Sequence, residues 1–381
     1  MALDLARRLR GPGFTQGLRV NKSATYSGRA LLLYKSIRNR RLLKAPLHTN
    51  ELEIIDWVWC LNELGFEVDL IDRGANPDLV TGGYDLFLGL GTSGSSKNFL
   101  PLANNSGAPK TILIATTPHP AHANRARMAH LIDFETRYGL MPTVSRIDPT
   151  EPHFQEHLDK ADSVMVYGMD GEYAHRSFSG VQPLVRTYGP SSLSKTIQAV
   201  RAAVTDPSFV AFSGDGFVAK GVDLIVETFL RFPEFRLSIF GPPSDSAFFS
   251  ALGDKIDRSA NIVFHGFLPA TERNLKKMSS HGAQICASPS ESSATSVATL
   301  MSVGVPSIAT IETGYVGAPG LSLGNFGPST RDQIAQGIAT YSLLPESSRT
   351  ELAREAADFS QAFTRGEFRG RLGRALKDCL S

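Results

Sequence analysis

The sequence predicts an α/β protein: two Rossmann-like, doubly wound parallel-sheet domains facing a cleft, with helices at the C-terminal end. Three observations predict it. Short apolar runs alternate with amphipathic helical stretches almost throughout, the pattern of right-handed βαβ units. The alternation runs twice, on either side of a Gly/Pro/Ser-rich break at Gly189–Lys195. The 381 residues amount to two domains at about 150 residues each. Residues 1–195 are therefore read as one domain and 196–381 as the other.

The strand candidates of the first half are Ala30–Lys35, Phe66–Asp72, Asp85–Gly91, Thr111–Thr116, Ser163–Tyr167 and Leu184–Tyr188, with helices such as Asn50–Leu64 and Asn124–Tyr138 between them. In the second half the strands are Phe209–Ser213, Arg236–Phe240, Ile262–Phe264, Gln284–Ala287 and Ser307–Thr310. Val222–Phe232, Ala270–Ser280 and Ala294–Val303 supply the helices. Ser347–Leu380 reads as two helices split near Thr364–Gly370. Trp57 and Trp59, on the first helix, read as core or flank.

Composition narrows the class. With 42% hydrophobic and 20% charged residues the chain is neither disordered nor fibrous. Cys60, Cys286 and Cys379 are scattered, which excludes a disulfide framework and a Cys-rich zinc site and suits a reducing cytoplasm. No apolar run approaches the roughly 18 residues of a membrane span, and Met1–Arg10 lacks the apolar stretch of a secretory signal. Residues 1–44 hold eleven Lys/Arg against one acid, Asp4, within an overall net charge of +2. Residues 1–28 read as a basic flexible arm, suited to a phosphorylated ligand or to peripheral contact with anionic lipid at the inner face of a membrane. No nucleic-acid-binding module accompanies it, so no nucleic-acid partner is expected.

In doubly wound sheets ligands bind where strands end and loops enter helices. Two such loops in the second half carry chemistry. The first is Ser213-Gly214-Asp215-Gly216, leading to Lys220-Gly221 at a helix start. Gly214 and Gly216 let backbone amides approach an anion, and Lys220 adds a full charge for a phosphate. The bland alternative is a tight turn with a surface lysine. The second loop is Ser288-Pro289-Ser290-Glu291-Ser292-Ser293-Ala294-Thr295-Ser296, followed by Thr299 and the turn Gly304-Val305-Pro306. Hydroxyls and amides near a helix start suit a pyrophosphate, and Glu291 suits a sugar's hydroxyls. The alternative is a serine-capped helix with Glu291 near its dipole.

Together these motifs resemble the donor domain of GT-B glycosyltransferases near family 4, over roughly residues 205–340. The family's pattern is Gly-Arg, a few residues, then Lys-Gly; later come Glu, seven residues, a second Glu, and Gly-x-Pro. Lys220-Gly221, Glu291 and Gly304-Val305-Pro306 match it, and Asn261–Pro269 is similar to the family's strand and base-proximal loop, with Phe267 and Leu268 near the base. Two positions depart. Asp215 stands where the family has a phosphate-binding Arg, and Thr299 stands where the second Glu holds the ribose. A bacterial branch with a Ser-Glu…Ser-Val-Ala-Thr donor loop is similar at both.

The resemblance implies a retaining transfer of a hexose from a nucleoside-diphosphate sugar to a glycan or lipid-linked acceptor, in bacterial surface polysaccharide synthesis. The nucleotide sugar is then a co-substrate, and no cofactor or metal is expected because the D-x-D metal motif is absent. Residues 196–381 become the donor domain and 1–195 the acceptor side. Lys220 and Glu291 are the implied catalytic residues, together with His119 at the end of the fourth strand. Gly214, Gly216, Phe267, Leu268, Ser292, Ser293, Ala294, Thr295, Ser296 and Thr299 would line the nucleotide. Asn124, Arg125 and Arg127 follow His119 on a helix within reach of the same cleft. Arg38, Arg40 and Arg41, with His48 and Asn50, would grip an acceptor phosphate. His265 and His281 read as structural. Two rival readings keep the fold: a non-catalytic partner subunit, suggested by Asp215 and Thr299, and a sugar-nucleotide epimerase.

Overall fold

In the computed structural model the described residues are 13–20, 25–34, 49–92, 96–144, 146–149, 151–168, 173–181, 184–187, 208–269, 271–315 and 317–381. They gather into two units that are not contiguous in sequence. The first is Met1–Ala121, Asp148–Pro190 and Arg365–Ser381; the second is His122–Ile147 and Ser191–Thr364. The chain opens with β1 (Phe14–Leu18), β2 (Gly28–Tyr34), α1 (Thr49–Glu63), β3 (Phe66–Asp72), β4 (Leu86–Leu90), α2 (Phe99–Ser106), β5 (Lys110–Ala115) and α3 (Pro120–Tyr138). Next come α4 (Phe154–Lys160), β6 (Ser163–Tyr167), α5 (Tyr173–Ser177) and β7 (Leu184–Thr187). The second alternation runs through β8 (Ser208–Phe212), α6 (Val222–Arg231), β9 (Arg236–Phe240), α7 (Ser246–Arg258), β10 (Ile262–Gly266), α8 (Glu272–Met278) and β11 (Ala283–Cys286). It closes with α9 (Thr295–Met301), β12 (Ser307–Thr310), β13 (Gly320–Gly324), α10 (Thr330–Leu343), α11 (Glu346–Ser360) and α12 (Arg365–Leu380).

The first unit is a seven-stranded sheet in the order β1-β3-β2-β4-β5-β6-β7. Both faces are covered, which is why its strands read as continuous apolar runs. In β2, Ala30, Leu32 and Tyr34 enter one core while Leu31 and Leu33 enter the other. Part of the expected basic arm is ordered: β1 pairs antiparallel with β3 at the sheet edge. Phe14 and Leu18 are buried, and the Gly17 amide donates to Asp69 Oδ1 at 2.6 Å. Those two apolar anchors outweigh the basic surroundings that suggested an arm.

Two helices leave the domain that the sequence order assigned them. α12 was expected with the second domain and packs in the first unit instead. Its stripe Phe368, Leu372, Ala375, Leu376 and Cys379 joins the core shared by α1, β2, β4 and β6. Asp56 of α1, fully buried, holds it there by accepting from Arg365 Nε at 2.9 Å, Arg365 Nη2 at 2.6 Å and Arg369 Nε at 2.6 Å. α3, from His122 onward, was expected with the first domain and packs in the second unit. Leu131 and Phe134 enter the second unit's core. Arg137 pairs with Asp223 and Glu227 of α6, Tyr138 donates to Glu227, and His130 Nε2 lies 3.0 Å from the buried Asp223.

The second unit is a six-stranded, wholly parallel sheet in the order β10-β9-β8-β11-β12-β13. The strand order reverses between β8 and β11, so the carboxyl ends of those two strands form the switch point where such sheets bind ligands. β13, with sequence GLSLG, had no strand signature. Gly320 has φ of 136°, and a Cβ there would lie 1.9 Å from the Ser307 carbonyl oxygen, so the edge strand needs glycine to come that close to β12. No helix among the described residues is long and apolar enough to cross a membrane.

Trp57 is fully buried and donates to Tyr167 Oη at 2.9 Å. Beside it, Glu53 is 4% exposed and its Oε1 has no hydrogen-bond partner among the described residues. Burial pushes the Glu53 carboxyl up to about 7 from an ordinary 4.5, with the Tyr167 and Tyr34 hydroxyls pulling the other way. The folded chain therefore keeps a proton that the unfolded chain releases. Stability falls as pH rises through this window, by about 3 kcal/mol in all. Glu53→Gln is expected to raise the melting temperature at pH 8 and to give little gain at pH 5. A difference from wild type that is the same at both pH values would refute this.

Candidate functional site

The candidate site is built from the loops that leave β8 and β11. After β8 the chain turns through Gly216, with φ of 79°, into a single 3-10 turn at Val218–Lys220, and Gly221 takes φ of 69°. A Cβ on Gly221 would lie 2.0 Å from the Ala287 carbonyl oxygen, so only glycine lets the Lys220 loop rest on the end of β11. Asp245, 3% exposed, holds the loop from behind. Its Oδ2 accepts from the Val218 amide at 3.0 Å, and its Oδ1 caps α7 through the Phe248 amide at 3.3 Å.

The loop after β11 is laced to the segment after β12. The Glu291 amide donates to the Glu312 carbonyl at 2.9 Å and the Ala294 amide to the Thr313 carbonyl at 3.0 Å. Thr310 Oγ1 donates to the Ser288 carbonyl at 2.8 Å. Gly314, with φ of 85°, passes so close that a Cβ there would lie 2.0 Å from the Ser292 carbonyl oxygen. These contacts present Glu291 to Lys220: Nζ donates to Oε1 at 2.8 Å, and Ser288 Oγ donates to the same oxygen at 3.3 Å.

The electrostatics are lopsided. Burial works to raise the Glu291 pKa, but Lys220, Arg127 and Arg146 together hold it down at about 2. Glu291 is thus an anion at any neutral pH, able only to accept hydrogen bonds. In the loops after β8 and β11, the hydroxyl oxygens of Ser213, Ser290, Ser292 and Ser293 are buried and have no hydrogen-bond partner among the described residues. Buried hydroxyls without partners are unusual in a folded protein, and these four follow the two neighbouring strands at the switch point.

One oxygen of the Asp215 carboxylate is held within its own loop and by Ser244. Oδ1 accepts from the Gly216 amide at 3.0 Å and from the Ser244 hydroxyl. Its carbonyl is held by Arg146, through Nε at 3.2 Å and Nη2 at 2.8 Å. Arg146 gave no sequence signal, being a lone arginine 69 residues away on the segment after α3. Arg127, expected on the helix after His119, belongs to the second unit. It is 7% exposed and donates to the Arg146 carbonyl at 2.8 Å and the Ser290 carbonyl at 2.9 Å.

Other expected donor-site residues fare unequally. Gly214 lies beside Arg146, whose Nη2 would be 3.7 Å from a Cβ there. Thr295 and Ser296 open α9 and are half-buried. The amide of Ala294 is already bonded to Thr313. Thr299 is buried and its hydroxyl donates to the Thr295 carbonyl at 2.6 Å, so that proton is directed at its own helix. Phe267 is 56% exposed after β10, while Leu268 packs against the core of α8 and α9. His265 stacks on Phe240 with ring centroids 4.5 Å apart, and His281 bonds the Met278 carbonyl.

His119 belongs to the first unit. Its ring sits edge-on to Phe154 and Phe178, its Nδ1 accepts from the Ala121 amide at 3.3 Å, and its own amide donates to Ser177 Oγ. It lines a polar cavity of about 470 Å³ with Gln155, Asp159, Ser177 and Ser179. Arg38, Arg40, Arg41 and His48 lie outside the described residues; Asn50 is in α1 and its side chain is likewise outside them. Among the described residues no three His, Cys, Asp or Glu side chains converge as metal ligands.

No protein-family model matches the chain, and no curated protein matches it. Solved structures do match in fold. Sucrose-phosphate synthase from Thermosynechococcus elongatus superposes with a TM-score of 0.63 at 13% identity, over 92% of this chain and 99% of that one. Anabaena HepE, in complex with UDP and glucose, gives 0.59 at 13% identity over 92% and 100%. A mutant of S. aureus TarM, in complex with fondaparinux, alpha-GlcNAc-glycerol and UDP, gives 0.53 at 12% identity. That match covers 78% of this chain, which spans only 55% of TarM's length. What is shared at these identities is the fold, and the chain has the GT-B fold of two Rossmann-like parallel-sheet units.

Proposed function

We propose that the chain is a glycosyltransferase that takes a hexose from a nucleoside-diphosphate sugar. The observation that carries this reading is the Lys220–Glu291 pair at the switch point of the second sheet, on loops that also hold four buried serine hydroxyls with no hydrogen-bond partner among the described residues. An arriving diphosphate is the natural competitor for the Lys220 ammonium. Once the ammonium turns to the phosphate, Glu291 is left as a carboxylate that can accept from the hydroxyls of the donor sugar. Serine hydroxyls and Lys220 then face the negative charge that grows on the departing diphosphate, the chief electrostatic need of the reaction.

Three structures of this fold that hold UDP or act on sugars support the reading. The motif match to the family 4 pattern supports a retaining outcome and a glycan or lipid-linked acceptor in surface polysaccharide synthesis. The proposed acceptor side is His119, with Arg38, Arg40, Arg41, His48 and Asn50 of the stretch after β2. Phe267 is proposed to flank the base. The rival reading, a partner subunit without activity, draws on Thr299, whose hydroxyl proton is directed at its own helix.

The test is thermal shift with UDP-, GDP-, ADP- and TDP-linked sugars. Ligand that binds the native state raises the melting temperature by mass action, by about 3 kcal/mol of stability at a hundredfold excess over Kd. One nucleotide series is expected to stabilise the chain, and that series names the donor for acceptor screens. A response to none of them would favour the partner-subunit reading.

A further inference from the structure

The loop that carries Asp215 lacks an arginine of its own, yet an arginine occupies it. Arg146 donates twice to the Asp215 carbonyl, and its Cγ would lie 3.3 Å from a Cβ on Gly216. Its Nη1 makes no hydrogen bond to a described residue. An arginine presents five N–H donors in one plane, so two nitrogens bound to a carbonyl fix the plane and leave the remaining fork aimed by that constraint. The backbone that carries Arg146 is fixed as well, because buried Arg127 ties the Arg146 carbonyl to the carbonyl of Ser290 in the second loop. The α3 segment is itself pinned to α6 through Arg137, Asp223 and Glu227. The Asp215 carboxylate, which would repel an anion, is engaged by the Gly216 amide and Ser244.

We infer that Arg146 is a diphosphate-binding residue of this site, delivered from the segment after α3 to the glycine loop in which Asp215 stands in place of an arginine, with Arg127 as its positioning residue. The inference rests on the reading of the second unit as a nucleotide-sugar site. It goes beyond it by assigning the anion contact to a residue far from either loop in sequence. The Arg146 charge, with those of Lys220 and Arg127, also helps to lower the Glu291 pKa.

Titration of UDP, GDP, ADP and TDP, each beside its phosphate-free nucleoside, tests it on the full chain and on Arg146→Gln, Arg146→Lys and Lys220→Ala. Loss of one charge-assisted contact is expected to weaken the preferred diphosphate roughly tenfold to a hundredfold in Arg146→Gln. The nucleoside should bind as before, the melting temperature without ligand should stay near wild type, and Arg146→Lys should recover part of the loss. If the wild type binds a diphosphate, Lys220→Ala loses it and Arg146→Gln keeps it, the inference about Arg146 fails while the donor site stands. Equal loss of diphosphate and nucleoside in Arg146→Gln also overturns it, since that is the mark of a merely structural side chain. A wild type that binds no diphosphate overturns the donor-site reading and this inference with it.

Discussion

Lys220→Ala is expected to lower transfer from the nucleotide sugar by at least about a hundredfold, the scale on which removing one preorganised charge-stabilising donor acts. The cause is local. Lys220 Nζ is the cation nearest Glu291, at 2.8 Å, and it stands on a turn that Gly221 and Asp245 hold against the end of β11. Without it a diphosphate in the proposed site would lose its ammonium, and the Glu291 pKa rises from about 2 because one of three opposing cations has gone. The fold should survive. The side chains of Lys220 and Glu291 are 19% and 20% exposed, so water can reach the carboxylate that remains. Steady-state kinetics with the donor named by the nucleotide panel check the loss, and a melt without ligand checks the fold. Wild-type turnover in Lys220→Ala would remove this residue from the site.

The second large effect concerns the first unit. Asp56→Ala should destabilise it by about 3 kcal/mol, the penalty for breaking a buried charge cluster from one side. Asp56 is the shared acceptor for Arg365 and Arg369, and among the described residues no other carboxylate is bonded to either. Its removal leaves two guanidinium groups without their partner and frees α12 to leave α1. Limited proteolysis should therefore cut near Arg365 in Asp56→Ala under conditions that spare the wild type, with a lowered melting temperature. Equal protection of both proteins would show the clamp to be idle.

Much of this architecture is legible in the chain because its signals are local. β3, β6, β9 and β12 have the bounds expected of them, since each is a short stretch rich in aliphatic or aromatic residues between turn signals. Lys220 and Glu291 stand out because each follows such a strand in a loop of small residues. The rest depends on distant partners. β13 hides its strand behind glycines that a close neighbour demands, and β1 hides behind basic surroundings. Nothing near Arg146 in sequence distinguishes it from a surface arginine; only Arg127, Ser290 and the Asp215 carbonyl do. The placements of α3 and α12 are decided by Asp223 and Asp56, acids that look like ordinary polar residues of amphipathic helices.

The return of α12 to the first unit has a consequence for how the protein is made. The Asp56–Arg365 contact joins residues 309 apart, and α12 leaves the ribosome after every other element of both units. Until it arrives, the apolar face of α1 and β6 lacks its cover, Tyr167 without Phe368 among it, while the sheet of the second unit already has all the strands of its described residues. The unit begun first is therefore the one completed last. A nascent chain stalled before Arg365 presents an open hydrophobic surface on its oldest part, the surface that chaperones bind and that drives aggregation.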